Sequence, residues 1–201
     1  MEIEQTKAII EAILFAAGRP VTENELMLNL ELSKDDIKQI IESMKEDYNS
    51  PNKGIEIVCV GRVKEEFFKE GIGHYVKEIR KKYPMDILEC PDESTPDSCP
   101  ESVERQIRDT EGERILNKIK DDEYVVALCI DGKHYSTQEW GDRMNRIFLQ
   151  VPSQVTFVIG GSLGLSEKVI RRANEKLSFS ALTFPHQMMR LILCEQIARV
   201  V

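Results

Sequence analysis

The clearest candidate for ligand binding is a glycine-rich segment that directly follows an apolar run. Residues 157–159 (FVI) are predicted to end a buried strand and lead into residues 160–164 (GGSLG), after which Ser166 can cap a helix. In open parallel sheets ligands bind beyond the carboxyl ends of strands, where glycine lets a ligand approach the backbone closely. Neither the GxGxxG spacing nor the Gly-Lys-Ser/Thr ending of a triphosphate loop is present. We interpret the segment as a ligand-binding loop in which the ligand approaches Gly160, and a plain glycine turn is the alternative.

A second candidate, residues 177–184 (LSFSALTF), joins a short predicted strand to the last predicted helix. Small and hydroxyl-bearing residues fill this loop, and Pro185 fits the first position of the helix that follows. The backbone amides and carbonyls of such a loop could bind the edge of an adenine, while Leu182 and Phe184 cover the faces of the ring. We therefore interpret the loop as a binding segment for an adenine-containing ligand.

Two ionisable residues lie at the start of the last predicted helix. His186 and Arg190 are four residues apart, which places them on one face of that helix. A histidine at the exposed start of a helix could accept a proton or orient a substrate. The alternative is a surface cap together with a solvated arginine.

Residues 128–133 (LCIDGK) carry a weaker signal, because an apolar run that ends in Asp131-Gly132 predicts a strand followed by an ordinary turn. No metal site is predicted, because His74 and His134 have no neighbouring carboxylates or cysteines in a pattern that suggests one. The five cysteines are scattered, without a CxxC pair. Buried free thiols in a reducing compartment, the cytoplasm, explain this cysteine usage better than disulfides do.

The net charge of −8 excludes a general positive field that would gather nucleic acid. Residues 1–50 alone carry 5 lysine or arginine residues against 11 aspartate or glutamate residues. Any RNA binding must therefore be local, and a solvated helix face is the alternative for the basic candidates, which are Arg62, Lys64, Lys77, Arg80, Lys81 and Lys82. No apolar stretch approaches the roughly 18 residues needed to span a bilayer, so no membrane is expected.

The elements that position these residues change in character near residue 50. Before it, the periodicity predicts three short helices in a helix-turn-helix unit, with a capping box from Thr22 to Glu25 and a further helix start at Ser33. The predicted apolar face of this unit consists of Ile9, Ile13, Ile37, Ile40 and Ile41. Residues 49–54 are predicted to form a turn or linker, which gives two domains, 1–54 and 55–201.

From residue 55 onward strands and helices alternate. Strands are predicted at 55–60, 85–90, 124–130, 155–159 and 176–179. Helices are predicted at about 63–82, from after Pro100 to about 120, from Ser136, at 166–173 and from Pro185 onward. This alternation predicts an α/β domain with a mostly parallel sheet and helices on both faces.

Four segments of this second domain resemble the ribosomal RNA large subunit methyltransferase H family, which are small SPOUT-class enzymes. They are residues 57–61 (IVCVG), 111–116 (EGERIL), 160–166 (GGSLGLS) and 177–193 (LSFSALTFPHQMMRLIL). The resemblance covers residues 55 to about 197. It implies a trefoil-knotted domain, an exception to the rule that chains do not thread loops. It also implies a homodimer with active sites at the subunit interface, and methylation of N3 of a pseudouridine in large-subunit ribosomal RNA.

The same resemblance implies site residues by position. The pocket for S-adenosylmethionine falls on Leu128, Gly160, Phe179, Ser180, Ala181, Leu182, Thr183 and Phe184. His186 and Arg190 fall where the family faces its RNA substrate, and His186 is the one candidate for a general base.

Residues 4–58 resemble a different family, the opening winged-helix domain of segregation and condensation protein B. The similar segments are residues 7–26, 32–48 and 54–60 (GIEIVCV), so the chain resembles a fusion. One strand cannot serve both as a wing and as an inner strand of a parallel sheet. We expect the sheet to take it, because the strand is buried on both faces there, and the leading unit to lose its wing.

The methyltransferase family continues beyond the equivalent of residue 201 with a tyrosine, the rest of the last helix and a tail that ends in Tyr-His and a basic residue. The resemblance therefore implies an enzyme whose methyl transfer is weakened, although its donor loops are complete. The alternative function is a non-enzymatic interaction module of the chromosome segregation type. The acidic first 50 residues suit a protein partner.

Overall fold

The computed structural model describes residues 3–48, 54–96 and 98–201. The chain divides into two compact units, Met1–Pro51 and Asn52–Val201. The predicted linker, residues 49–54, lies outside the described residues except for Gly54. Within the described ranges, no helix combines the length and the apolar character that crossing a membrane requires.

The first unit is helical, as predicted, with α1 (Ile3–Ala17), α2 (Glu23–Leu30) and α3 (Lys34–Tyr48). The capping box at the start of α2 is confirmed. The backbone N–H of Glu25 donates to Oγ1 of Thr22 at 3.3 Å, and the backbone N–H of Thr22 donates to Oε2 of Glu25 at 2.8 Å. Ser33 opens α3 in a similar way, because its Oγ accepts from the backbone N–H of Asp36 at 3.2 Å.

The prediction of the apolar face in this unit is wrong at one residue, Ile9. The sequence pattern places Ile9 in the core, but its side chain is 40% exposed, whereas that of Ile10 is 1% exposed. Residues 8–17 are almost all apolar, so periodicity alone does not single out one face of α1. The buried residues that the three helices share are Ile10, Leu26, Leu30, Ile37, Ile40 and Met44.

Five parallel strands form the sheet of the second unit, in the order β2-β1-β4-β3-β5. They are β1 (Ile55–Val60), β2 (Met85–Cys90), β3 (Tyr124–His134), β4 (Val155–Ile159) and β5 (Glu175–Ser178). The segment that both resemblances share is β1, which pairs with β2 on one side and β4 on the other. The expectation that the sheet takes this strand is therefore confirmed.

Helices cover both faces of the sheet, as predicted. They are α4 (Glu66–Ile79), α5 (Glu101–Leu116), α6 (Thr137–Gln150), α7 (Glu167–Arg172) and α8 (His186–Val200). Ile57 and Cys59 of β1 pack in a core with side chains of α4, α6 and α8. Val58 and Val60 belong to a second core with side chains of α5 and α7. This alternation along one strand shows that the sheet is buried on both sides.

The predicted turn at Asp131-Gly132 is wrong, because both residues lie inside β3, which continues to His134. The pairing of β3 with β5 shifts register between Leu128 and Lys133, so the intervening residues bulge out of the ladder. A Cβ on Gly132 would lie 2.4 Å from the carbonyl carbon of Leu177. Glycine is therefore needed here for close approach to β5 rather than for a turn.

Candidate active site

A cavity of about 620 Å³ opens at the carboxyl ends of β4 and β5 and beside residues 128–130 of β3, where its pairing with β5 shifts register. The two candidate loops of the sequence, residues 160–164 and 179–184, come together around it. Of the residues predicted to bind the methyl donor, Ala181 does not line the cavity, and those that do are Leu128, Gly160, Phe179, Ser180, Leu182, Thr183 and Phe184. The volume is within the range of about 300–1,000 Å³ that is usual for small-molecule pockets.

The glycine loop folds back on itself beside β4. The backbone N–H of Gly164 donates to the carbonyl oxygen of Gly161 at 3.1 Å, and Gly164 has a φ of +82°. A Cβ on Gly160 would lie 2.7 Å from the carbonyl carbon of Gly164. The loop therefore requires glycine at position 160 for its own closure. Ser166 then caps α7 as predicted, with its Oγ accepting from the backbone N–H of Val169 at 3.4 Å.

The second loop is held by its own serines. Oγ of Ser178 donates to the carbonyl oxygen of Ser180 at 3.0 Å, and Oγ of Ser180 accepts from the backbone N–H of Leu182 at 3.0 Å. The ring of Phe179 lies edge-on to Trp140, which anchors the start of the loop in the core. The side chain of Leu182 is 69% exposed although it lines the cavity. One wall of the cavity is therefore an apolar side chain that solvent reaches.

His186 is the first residue of α8, and Pro185 is its N-cap rather than its first helical residue. The imidazole lines the cavity and covers Gly61, at the end of β1. Gly61 has a φ of +82°, and a Cβ there would lie 2.8 Å from Nε2 of His186. Nε2 is buried and has no hydrogen-bond partner among the residues that the structure describes. The histidine thus lines the cavity, with one of its two ring nitrogens turned inward.

Arg190 is not at the surface: its side chain is 1% exposed. Nη1 donates to Oε1 of Glu89 at 2.6 Å, and Nη2 donates to the carbonyl oxygen of Gly61 at 2.9 Å. This burial contradicts both the solvated arginine and an arginine that faces the substrate. Its two partners are 101 and 129 residues away in the chain, so no local pattern could have revealed them.

Sequence reasoning also missed Gln187, which ties the last helix to the loop after β1. Its Oε1 accepts from the backbone N–H of Lys64 at 2.7 Å and, more weakly, from that of Glu65 at 3.4 Å. These amide groups precede α4, so the glutamine satisfies donors that a helix start leaves free. Together with Arg190, it fixes residues 61–65 against the first turn of α8.

Glu111 supports the glycine loop from the side of α5. The residue is only 4% exposed, and its Oε1 accepts from the backbone N–H of Glu93 at 2.9 Å. Burial raises the pKa of this carboxyl group above its usual value. In the sequence, residues 111–116 stand out only by their resemblance to the family, because a glutamate on a helix face gives no sign that it is buried.

The six basic candidates for RNA binding differ in their partners. Arg80 pairs with Asp86 at 3.0 Å, and Lys81 pairs with Glu78 at 2.6 Å. Lys77 and Lys82 are exposed and form no ion pair with any described residue. The same holds for Arg62 and Lys64, but these two lie in the loop that hydrogen bonds join to α8, whose first residue, His186, lines the cavity.

No cluster of three or more metal-binding side chains occurs among the described residues. Cys129 lines the cavity, but burial and a hydrogen bond with Asp131 raise its pKa to about 11. A thiol that is protonated at neutral pH is a poor nucleophile. The site therefore offers shaped backbone, hydroxyl groups and one imidazole rather than a covalent catalyst.

The family model described as "Predicted SPOUT methyltransferase" matches residues 54–201 of the chain. The chain belongs to the SPOUT methyltransferase family. Enzymes of this family of the ribosomal RNA methyltransferase H type use S-adenosylmethionine as the methyl donor. The parallel sheet with helices on both faces agrees with membership, and the trefoil knot stays a prediction from the resemblance.

Three curated relatives of the SPOUT unit carry the name "Ribosomal RNA large subunit methyltransferase H". The protein from Bacillus pumilus is 49% identical over 145 residues, which are 72% of this chain and 91% of that protein. Those from Listeria monocytogenes and Streptococcus thermophilus are 48% and 46% identical over the same shares.

A second family model, described as "Segregation and condensation complex subunit ScpB", matches residues 8–89. This match includes the first helical unit and also extends over β1, α4 and β2, which belong to the SPOUT sheet in the structure. The two matches therefore overlap in a segment whose observed fold is that of the methyltransferase.

Proposed function

We propose that this chain transfers a methyl group from S-adenosylmethionine to large-subunit ribosomal RNA, with N3 of a pseudouridine as the acceptor. The observation that carries the proposal is the cavity at the carboxyl ends of β4 and β5, beside residues 128–130 of β3. It is built from the same two loops to which the family resemblance assigns the donor. The names of the relatives supply the substrate class.

The lining of the cavity fits the methyl donor. The closed glycine loop exposes backbone on one side, while Ser180 and Thr183 offer hydroxyl groups on the other. Leu128, Leu182 and Phe184 supply apolar surface for the faces of an adenine ring. A pocket with mostly apolar walls and a few polar groups is the usual form of a cofactor site.

When bound, S-adenosylmethionine would supply a methyl group on a positively charged sulfur. An electron pair on N3 of the acceptor forms the new bond to this methyl group in line as the carbon–sulfur bond breaks, S-adenosylhomocysteine leaves, and the N3 proton passes to solvent. The chain contributes position rather than covalent chemistry, because no activated nucleophile lines the cavity. Holding two reactants in line is worth up to about 7–11 kcal/mol of the barrier. The rigid attachment of His186 to Gly61, and of residues 61–65 to α8, provides the fixed geometry that this effect requires.

We further propose that the RNA is bound through Arg62 and Lys64. Both cations are exposed and unpaired among the described residues, whereas Arg80 and Lys81 already have partners. With a net charge of −8, the chain cannot rely on long-range attraction. A ribosomal substrate also implies that the protein works in the cytoplasm.

A homodimer that completes each site is part of the proposal. Leu182 and Ile130 line the cavity yet are exposed, and both are large apolar side chains. A second copy placed over the cavity mouth would bury them. The helical unit before the SPOUT domain is then a separate domain that binds a protein partner, which its acidic composition and its match to a segregation and condensation subunit support.

Titration of the chain with S-adenosylmethionine by calorimetry tests the enzymatic proposal against a purely interacting role. The expected result is saturable binding, followed by transfer of label from the donor to ribosomes that lack the modification. No heat of binding at any donor concentration would favour the interaction module instead. Binding without transfer would retain the pocket and reject the substrate.

A further inference from the structure

On the first two turns of α8, two buried side-chain nitrogen atoms find no hydrogen-bond partner in the described part of the chain. They are Nε2 of His186 and Nε of Arg190. The two residues are one helical turn apart, and both touch Gly61. The imidazole covers the α-carbon of this glycine, and Nη2 of the arginine donates to its carbonyl oxygen at 2.9 Å.

The two nitrogens differ in whether they can donate or accept a hydrogen bond. Nε of an arginine always carries a hydrogen and can only donate, whereas a ring nitrogen of neutral histidine either donates or accepts. An N–H at Nε2 would be buried without an acceptor among the described residues. An unprotonated Nε2 would instead turn its lone pair toward the region of Gly61, where the positive charge of the Arg190 guanidinium is held, and this arrangement is favourable.

We propose that Arg190 is a positioning residue that keeps Nε2 of His186 unprotonated, so that the imidazole presents an N–H group at Nδ1 to the cavity. A neutral imidazole carries one hydrogen, and a lone pair at Nε2 places that hydrogen on Nδ1. Nε2 is the buried nitrogen, so Nδ1 is the nitrogen that a bound molecule can reach.

The position of the Arg190 guanidinium is fixed by hydrogen bonds that involve Glu89 and Gly61. Oε1 of Glu89 accepts from Nη1 at 2.6 Å and also accepts from the backbone N–H of Val63 at 3.2 Å. The backbone N–H of Gly61 in turn donates to the carbonyl oxygen of Cys90 at 2.9 Å. Arg190 is thus fixed to the ends of β1 and β2, at the same Gly61 against which the imidazole packs.

This assignment changes the role of His186. An N–H at Nδ1 donates a hydrogen bond and does not accept a proton, so the histidine orients the acceptor rather than acting as a general base. A carbonyl oxygen beside the methylated nitrogen of a pyrimidine-type base is the kind of group that it would bind. This last step rests on the proposed function, whereas the state of the imidazole does not.

NMR spectroscopy tests the tautomer without donor or RNA. The chain has three histidines, so long-range ¹H–¹⁵N correlation of histidine-labelled protein gives few signals, and His186→Asn identifies the one that matters. We expect an Nδ1–H ring in the parent and a shift toward Nε2–H in Arg190→Met. Arg80→Met, which removes an exposed arginine paired with Asp86, should leave the signal unchanged. Fluorescence of the single tryptophan, Trp140, reports whether each variant is folded.

An Nε2–H ring in the parent, or the same tautomer in a folded Arg190→Met variant, would overturn the proposal. A second comparison needs no substitution of the arginine. The side-chain amide of asparagine superimposes on Nδ1 of histidine, and that of glutamine superimposes on Nε2. His186→Asn should therefore retain at least several-fold more methyl transfer than His186→Gln, and the reverse order would contradict a donor at Nδ1. Loss of transfer in the parent would reject the proposed function and leave the NMR result standing.

Discussion

Oε2 of Glu111 lies directly behind Gly161, 2.7 Å from the position that a Cβ on this glycine would occupy. The buried carboxyl group thus forms the back of the loop that lines the cavity. Oε2 has no hydrogen-bond partner within the described ranges, while Oε1 accepts from Glu93. A charge on this group would be costly, since one of its oxygens is neither solvated nor paired.

The first prediction concerns pH. Because burial raises the pKa of Glu111, the folded state binds more protons than the unfolded state. Its contribution to stability therefore falls as pH rises from the ordinary glutamate value of about 4.3 through the raised one. We expect the free energy of unfolding to fall less over this window in Glu111→Gln than in the parent, as measured by urea unfolding at several pH values. Glu113→Gln, at an exposed glutamate, should follow the parent, and identical pH profiles for all three would refute the assignment.

The second prediction concerns the glycine loop. A methyl group on Gly160 would lie 2.8 Å from the carbonyl oxygen of Gly164, which is a backbone atom that cannot move aside freely. We expect Gly160→Ala to open the loop and to weaken binding of S-adenosylmethionine at least tenfold, or about 1.4 kcal/mol, in calorimetry. The matched control is Gly73→Ala in α4, where an added Cβ meets no atom within 4 Å. Equal affinities for the two variants would show that the loop does not hold the donor.

The third prediction concerns the dimer. Leu182→Asp places a charge on an exposed apolar side chain at the cavity, and burying that charge between subunits is unfavourable. Sedimentation velocity should show a dissociation constant at least tenfold higher than that of the parent. Leu28→Asp changes another exposed leucine, in the helical unit, and should leave this constant unaltered. A dimer that tolerates both changes would place the subunit interface elsewhere.

The fourth prediction concerns RNA. Replacing Arg62 and Lys64 by alanine should weaken binding to ribosomal RNA and reduce its dependence on salt. For each phosphate that the protein no longer neutralises, the slope of log K against log salt concentration should become shallower by about 0.7–0.9. Lys81→Ala removes a lysine that already pairs with Glu78 and serves as the control. An unchanged slope in the double variant would mean that these two cations do not bind phosphate.

The sequence predicted the parts of the fold that depend on local pattern. The bounds of β1, β2 and β4 match because each is a short segment with strand-forming residues that is flanked by glycine, proline or a polar residue. The extension of β3 was missed because Asp131-Gly132 has the composition of a turn, and only its packing on Leu177 makes it part of a strand.

The cavity loops were found for a similar reason, since each is a short segment with a distinctive composition. The interactions that hold these loops in place were not predicted from the sequence. Glu89 and Arg190 are joined across 101 residues, and the burial of Glu111 depends on the loop that precedes α5. Such interactions are created by the folding of the sheet, so they have no counterpart in periodicity.

The position of β1 in the sheet also determines the order in which the two units can fold during synthesis. Its partner β4 lies 100 residues further along the chain, from Ile55 to Val155, so on the ribosome the strand is made long before this neighbour exists. The packing of α1 and α2 on α3 joins residues that all lie within the first 48 of the chain, and units built from such local contacts form quickly. At a synthesis rate of roughly 5–20 residues per second, it is complete several seconds before the sheet can close. During that interval an apolar strand has an open edge, while the helical unit that precedes it in the sequence is already folded.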